Sequence, residues 1–464
     1  TQEMDGATRR HFMGVMGASM AMASMAGCVR RPVEKIIPYR EMPEDVLPGV
    51  PNYYATGMHI GGEAIGLVVE SNEGRPTKVE GNFEHPWSNG ATNAVHQASV
   101  LDLYDPLRVT SPYKGLKGVT AEAGYKEIKE YFQKTALPAN GKGVYVLSAA
   151  IPSPTFDTLM KRFRQRFPLA KWLTYEPVSY DNEREGLRAA FGKPRRVSVS
   201  YERARVVLSL DADFLGTGAG SVGNASKWAH LRSLKNEIDG LSRLYSVEAV
   251  LSLTGANADE RMRLSTSQIE AFAFQVALEL VRIENLTLPK NLHDAAPERA
   301  KGLSPEAVAF AKKVAADLND KTKPVGIATH GVVVAGRRQS PLVHNLVAAI
   351  NQFLVKTSGV VAYAADPSRP EGDLGDAANI IALKNALDAG KVETLVVIGS
   401  NPVYSAPGSL DMATSIKRAK KVMCLADYRD ETAKAKTDEN SWTFPRAHYL
   451  EAWGDLVSPM GTLT

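Results

Sequence analysis

Two α/β domains with mostly parallel sheets, preceded by a small β element and an extended N-terminal segment, are the fold this sequence predicts. Short apolar runs of strand length recur along the chain and alternate with stretches of helical periodicity, the pattern of βαβ units. Clusters of Gly, Pro, Asn and Ser punctuate them, as turns require. The 464 residues are 44% hydrophobic and 23% charged, an ordinary globular composition with room for two or three cores.

Residues 1–30 read as an export leader. Thr8-Arg9-Arg10-His11-Phe12-Met13 precedes a Met-rich, small-residue apolar stretch that ends at Gly27. The paired Arg9 and Arg10 ahead of Phe12 mark the twin-arginine route for folded cargo. The stretch has no polar face, which argues against an amphipathic surface helix. Its length of about 15 residues gives a helix of about 22 Å, short of a bilayer core of about 30 Å, so it suits docking on a membrane subunit better than spanning alone. Met25-Ala26-Gly27-Cys28 resembles a lipobox in which Cys28 is acylated, with Met25 in place of the usual leucine. The leader is expected to be retained, and the mature N-terminus is not expected to be Cys28.

Residues 31–59 form the expected extended linker, with five prolines between Arg31 and Tyr54. The small β element, 60–110, holds strands Ala64–Glu70 and Thr77–Glu80 around the turn Ser71–Pro76. The first α/β domain, 111–310, starts with the strand Gly143–Ser148. A helix then places Phe156, Leu159, Met160, Phe163 and Phe167 at packing intervals. Strands Trp172–Tyr175, Arg205–Leu210 and Arg243–Val247 and the helix Gln268–Ile283 follow. An aperiodic charged segment, Asn285–Pro305, leads to the second domain, 311–464. Its strands are Pro324–Thr329, Val360–Tyr363, Thr394–Ile398 and Lys421–Leu425, and its main helix is Pro341–Leu354. The stretch Asp455–Thr464 has neither helix cap nor polar tail, so the functional unit is expected to continue past Thr464.

Basic and acidic residues nearly cancel, 55 against 51, with no long run of one sign, so no nucleic-acid footprint is present. Two cysteines cannot hold an iron-sulfur cluster that needs four thiolates. Cys28 lies on the leader and Cys424 in the apolar run Val422–Leu425, so no disulfide is expected between them. The nine histidines show no metal-ligand spacing, and no Gly-x-Ser-x-Gly elbow occurs.

Two loops stand out because they follow strands directly, where parallel sheets bind ligands. Gly399-Ser400-Asn401-Pro402 follows Thr394–Ile398 and has the character of a nucleotide or pterin phosphate loop. Asn and Pro also make turns for conformational reasons alone, and that reading leads. Asp211 and Asp213 follow Leu210 and precede Gly216, Gly218 and Gly220, a candidate for metal or ribose. No lysine follows the glycines at phosphate-loop spacing, and a structural role leads there too.

Several phrases together carry a family resemblance. Glu80-Gly81-Asn82, Glu84-His85-Pro86, Gln97–Val100, Leu103–Pro106, Gly399–Pro402, Glu431-Thr432-Ala433, Leu450-Glu451 and Gly454-Asp455 resemble stretches of the dimethyl sulfoxide reductase superfamily of molybdopterin oxidoreductases. More narrowly, the leader, Arg31–Tyr39, Pro48–Thr56, Leu210–Gly216 and Thr254–Asp259 resemble the molybdopterin-oxidoreductase-like part of the large iron-sulfur subunit of alternative complex III, a quinol oxidoreductase. Asn93 stands where the superfamily usually has a cluster cysteine, and the body before Cys424 has none. The resemblance therefore implies a fold retained after its chemistry was lost. It implies no catalytic residue, no metal ligand and no cofactor in this chain, with Gly399–Pro402 a vestigial pterin loop. Iron-sulfur clusters and haem c are then expected elsewhere: in a ferredoxin-like part, a multihaem cytochrome c subunit and multi-spanning quinol-binding subunits. The expected place is the periplasmic, outer face of a bacterial cytoplasmic membrane. Two rivals are an active exported molybdenum or tungsten bis-pterin reductase with a non-cysteine ligand, and an exported α/β small-ligand-binding protein.

Overall fold

The structure, a computed structural model, describes residues 13–20, 40–41 and 43–464 apart from 234–240, 285, 321–329, 356–358 and 371. The chain forms two units, 1–50 and 51–464. In the first, residues 13–20 are helical, while Arg9, Arg10, Phe12 and Cys28 lie outside the described residues. Among the described residues no helix is long and apolar enough to cross a membrane.

The second unit opens with a three-stranded antiparallel meander, Asn52–Ile60, Glu63–Asn72 and Arg75–Gly81. The expected hairpin is present. Its first neighbour, however, lies in what the prolines suggest is linker, because Pro51 is the last of them and the following Tyr, Thr and Ile suit a strand. Gly61 and Gly62, at φ 57° and 80°, make the tight turn between these strands, since a two-residue hairpin turn of this kind needs positive φ at both positions. Leu67, Val69 and Val79 form a small core with Val100 from the helix Ala94–Leu103.

A seven-stranded sheet carries, in order, Lys117–Gly118, Tyr113–Lys114, Ser441–Pro445, Lys421–Ala426, Thr394–Ile398, Val144–Ser148 and Lys171–Thr174. The last five are parallel, and the two short strands are antiparallel. A second, fully parallel sheet orders Glu260–Arg263, Arg243–Glu248, Ala204–Leu210 and His330–Ala335. Between the two in sequence, Arg196–Val199 pairs with Val361–Ala364. The mixed α/β class with mostly parallel sheets is as the sequence predicts.

The sheets do not follow the expected cut at 310. Strands 144–148 and 171–174 join 394–445, and the second sheet is inserted between these two parts. Hydrophobic pattern marks strands but not their neighbours, and here the connections are long crossovers rather than local hairpins. Two further differences concern single elements. The segment Asn285–Pro305 contains the helix Lys290–Arg299, whose interior Pro297 masks its periodicity. The expected strand Pro324–Thr329 lies outside the described residues, and the described strand is His330–Ala335.

The main core fills the second sheet and its helices. Leu208, Leu210 and Tyr245 are fully buried against Phe272 and Phe274 of the helix Thr266–Glu284. Each such side chain contributes about 1.5–3 kcal/mol of burial. On the helix Pro154–Arg166, Met160 is buried and Phe163 packs edge-on to Trp172 at 5.5 Å, but Leu159 lies outside the packed face.

Candidate functional site

Each parallel sheet has one place where the chain reverses its direction of winding, and open α/β sheets bind ligands at such points. In the large sheet the chain runs outward from Val144–Ser148 to Lys171–Thr174 and later returns on the other side with Thr394–Ile398. In the second sheet it runs outward from Ala204–Leu210 and returns with His330–Ala335. Gly399–Pro402 stands at the first reversal and Asp211 and Asp213 at the second. Both loops picked out from sequence are therefore at ligand-binding positions of the fold.

At the first reversal the loop is tied to its own neighbourhood. Gly399 has φ 63°, and a Cβ there would lie 3.0 Å from the Arg446 guanidinium. Arg446 is engaged with Asp427, to which its Nε donates at 3.1 Å. Asn401 caps the short helix Pro402–Ser405. Its amide donates to Glu431 Oε2 at 2.7 Å, and its Oδ1 accepts from the Thr432 hydroxyl at 2.7 Å. The same hydroxyl accepts from Val403 N at 3.1 Å. The two family-like phrases, Gly399–Pro402 and Glu431–Ala433, thus bond each other across adjacent strands. The hydrogen bond from Asn401, then one from its own backbone, holds the Glu431 carboxyl below its usual range, so the loop carries a negative charge. Asn401→Ala is expected to lower stability by about 1 kcal/mol, the usual cost of a lost cap, read as the denaturant midpoint at constant m-value.

At the second reversal the two carboxylates diverge. Asp211, in the left-handed region at φ 54°, accepts from Arg338 Nη2 at 3.3 Å and from Gln339 at 3.4 Å. Asp213 turns the other way. It accepts from the backbone N and hydroxyl of Thr217, at 2.9 and 3.2 Å, and from those of Thr254, both at 3.0 Å. Burial pushes the Asp213 pKa up, but these four donors outweigh it and hold the carboxyl below its usual range. The pair therefore shares no partner and braces a loop. Beside it lies a cavity of about 210 Å³ lined in part by Tyr180, Phe214 and Arg337.

The remaining chemistry is inert or structural. Asn93 is a helix cap: it accepts from His96 N at 3.0 Å, and its own N–H donates to the His96 ring at 3.2 Å. Burial lowers the pKa of His85, His96 and His448, and it takes His59 and His344 to about 4, so these rings are neutral at pH 7. The Cys424 thiol is buried in its strand and pushed up to about 12 by burial and then by Asp430. Among the described residues no group of three or more His, Cys, Asp or Glu could hold a metal ion.

These residues do not fit a pterin dinucleotide. The first loop turns its amide to Glu431, whose charge repels a pyrophosphate, and the cavity at the second, of about 210 Å³, is too small for a dinucleotide. Sequence reasoning placed both loops but missed the capping role of Asn93, for which the Asn-x-x-His spacing before an apolar helix was the available signal. It also missed the cavity, whose walls come from distant segments.

The fold is molybdopterin-oxidoreductase-like. Acetylene hydratase from Pelobacter acetylenicus matches it with a TM-score of 0.61 at 14% identity, over 84% of this chain and 62% of that one. In sequence the chain is 22% identical over 436 residues to the menaquinone reductase molybdopterin-binding-like subunit of Nitratidesulfovibrio vulgaris. That alignment covers 89% of this chain, which spans 61% of the length of that relative. No protein-family model matches the chain.

Proposed function

We propose that the chain is a non-catalytic, molybdopterin-oxidoreductase-like scaffold domain of a membrane-bound, quinol-linked respiratory complex of the alternative complex III type. One observation carries the reading. The loop that should cradle a pterin phosphate is engaged by Asn401, Thr432 and the Glu431 carboxylate instead. The sequence similarity to a subunit of a menaquinone reductase supports the quinone-linked setting. In this role the domain braces a cluster-bearing ferredoxin-like part, a multihaem cytochrome c subunit and quinol-binding membrane subunits, and electrons pass through those partners. The body works on the periplasmic face, delivered by Arg9 and Arg10. An Arg9→Lys, Arg10→Lys double variant should then remain in the cytoplasm, because the route reads paired guanidinium groups rather than charge. Periplasmic recovery of that variant refutes the targeting.

The deciding measurement is elemental analysis of the purified protein, with pterin fluorescence after acid extraction. Molybdenum and tungsten well below one atom per chain, with no pterin signal, is the expected result. About one metal atom per chain, or extractable pterin, makes the protein an active bis-pterin enzyme and ends the scaffold reading.

A further inference from the structure

The cavity at the second reversal has a lopsided inventory of polar groups. Its carboxylates are engaged: Asp211 by Arg338 and Gln339, Asp213 by four donors from Thr217 and Thr254, and Glu183 by Arg196 Nε at 3.2 Å. Asn351 is also engaged, its amide bonding both the N–H and the C=O of Val333 at 2.9 and 2.8 Å. Two donors are not. Neither the Arg337 guanidinium nor the Tyr180 hydroxyl has a hydrogen-bond acceptor among the described residues, and both line the cavity. The Arg337 charge opposes the upward push that burial gives the Tyr180 phenol. The rest of the wall is mixed, with Leu187, Val199, Phe214 and Val347 among Ser198, Tyr201 and His344.

A free guanidinium and a free hydroxyl in a cavity whose carboxylates are satisfied call for a ligand that accepts. A guanidinium and a hydroxyl match the two oxygens of a carboxylate, and the apolar part of the wall matches a ring or branched chain. The volume of about 210 Å³ admits one ring with its substituent and excludes a dinucleotide. We propose that this cavity binds a small apolar carboxylate, its charge held by Arg337 and Tyr180 and its body against the valine and phenylalanine wall. The proposal goes beyond the scaffold reading and does not depend on it, because it concerns a ligand that is neither metal nor pterin.

Benzoate is the probe, titrated calorimetrically into the purified full-length chain, with benzamide as the neutral isostere and guanosine monophosphate as the nucleotide competitor. Saturable benzoate binding is expected, with benzamide at least about ten-fold weaker, since a bond to a charged group is worth about 1.5–3 kcal/mol. Arg337→Gln should weaken benzoate about 30-fold and Tyr180→Phe about five-fold. Arg337→Lys should recover part of the loss. Arg338→Gln is the control: that guanidinium is bound to Asp211, so the variant should bind benzoate nearly as the parent does. An unchanged melting temperature without ligand certifies the fold of each variant. The proposal fails if benzoate does not bind in the millimolar range, or if benzamide binds equally well. It fails too if Arg338→Gln costs as much as Arg337→Gln, or if guanosine monophosphate displaces benzoate at lower concentration.

Discussion

Arg196→Met is expected to lose about 3–5 kcal/mol of stability at pH 8, the range for stranding buried charges by removing their partner. Arg196 is 7% exposed and contacts three carboxylates: Glu183 at 3.2 Å, Glu63 at 3.3 Å and Asp366 at 3.6 Å. Its guanidinium also lies 4.2 Å from the centre of the Tyr180 ring. Burial works against its charge, and the carboxylates of Glu183, Asp366 and Glu63 outweigh burial and raise its pKa. The loss depends on pH with a definite sign. Burial, chiefly, already holds Glu63 and Glu183 above their ordinary value of 4.5, and Arg196 opposes that push. An acid so raised favours the fold below its unfolded value, and that contribution vanishes as pH climbs through its folded value. Removing the guanidinium raises all three acids further, including Asp366, which Arg196 and Ser368 hold low against burial. The deficit of the variant should therefore shrink between pH 8 and pH 5, read by urea unfolding at both. A loss under about 1 kcal/mol, or the same loss at both pH values, would show that the cluster is not an electrostatic keystone.

Gly336→Ala is the second large effect, a loss of about 3 kcal/mol, at the top of the range for overpacking. Gly336 ends the strand His330–Ala335, and its N–H donates to Leu210 O at 2.9 Å. A Cβ there would lie 1.9 Å from the Asp211 carbonyl oxygen and 2.6 Å from its carbon. These are backbone atoms at the end of the neighbouring strand, pinned by the ladder, so no rotamer relieves the clash. The backbone conformation of Gly336 is not left-handed, which makes the effect one of space alone. Gly408→Ala, where nothing lies within 4 Å of the added carbon, should stay within about 0.5 kcal/mol. Equal melting temperatures for both variants would remove the steric account.

Local structure was legible because it depends on local pattern. The helix read as Gln268–Ile283 runs Thr266–Glu284, and the strands Thr394–Ile398 and Lys421–Ala426 sit where their apolar runs place them. The first strand, Asn52–Ile60, was hidden by the prolines before it. Sheet order was not legible, since Val144–Ser148 and Thr394–Ile398 pair through main-chain bonds that any two strands can make. The candidate loops were found because each directly follows a strand. Their use was not, because it rests on bonds between remote residues, such as Asn401 with Thr432 and Asp213 with Thr254.

The insertion of one sheet inside the other imposes a schedule on the growing polypeptide. The strand Val144–Ser148 emerges from the ribosome long before Thr394–Ile398, Lys421–Ala426 and Ser441–Pro445, the strands that complete its sheet. The enclosed sheet finishes first, and the outer one must wait with an open edge that invites wrong pairings. Closure of such distant partners is slow. Ser441–Pro445 docks between Lys421–Ala426 and Tyr113–Lys114, so a ribosome that stops short of it leaves a gap in the sheet rather than a trimmed margin.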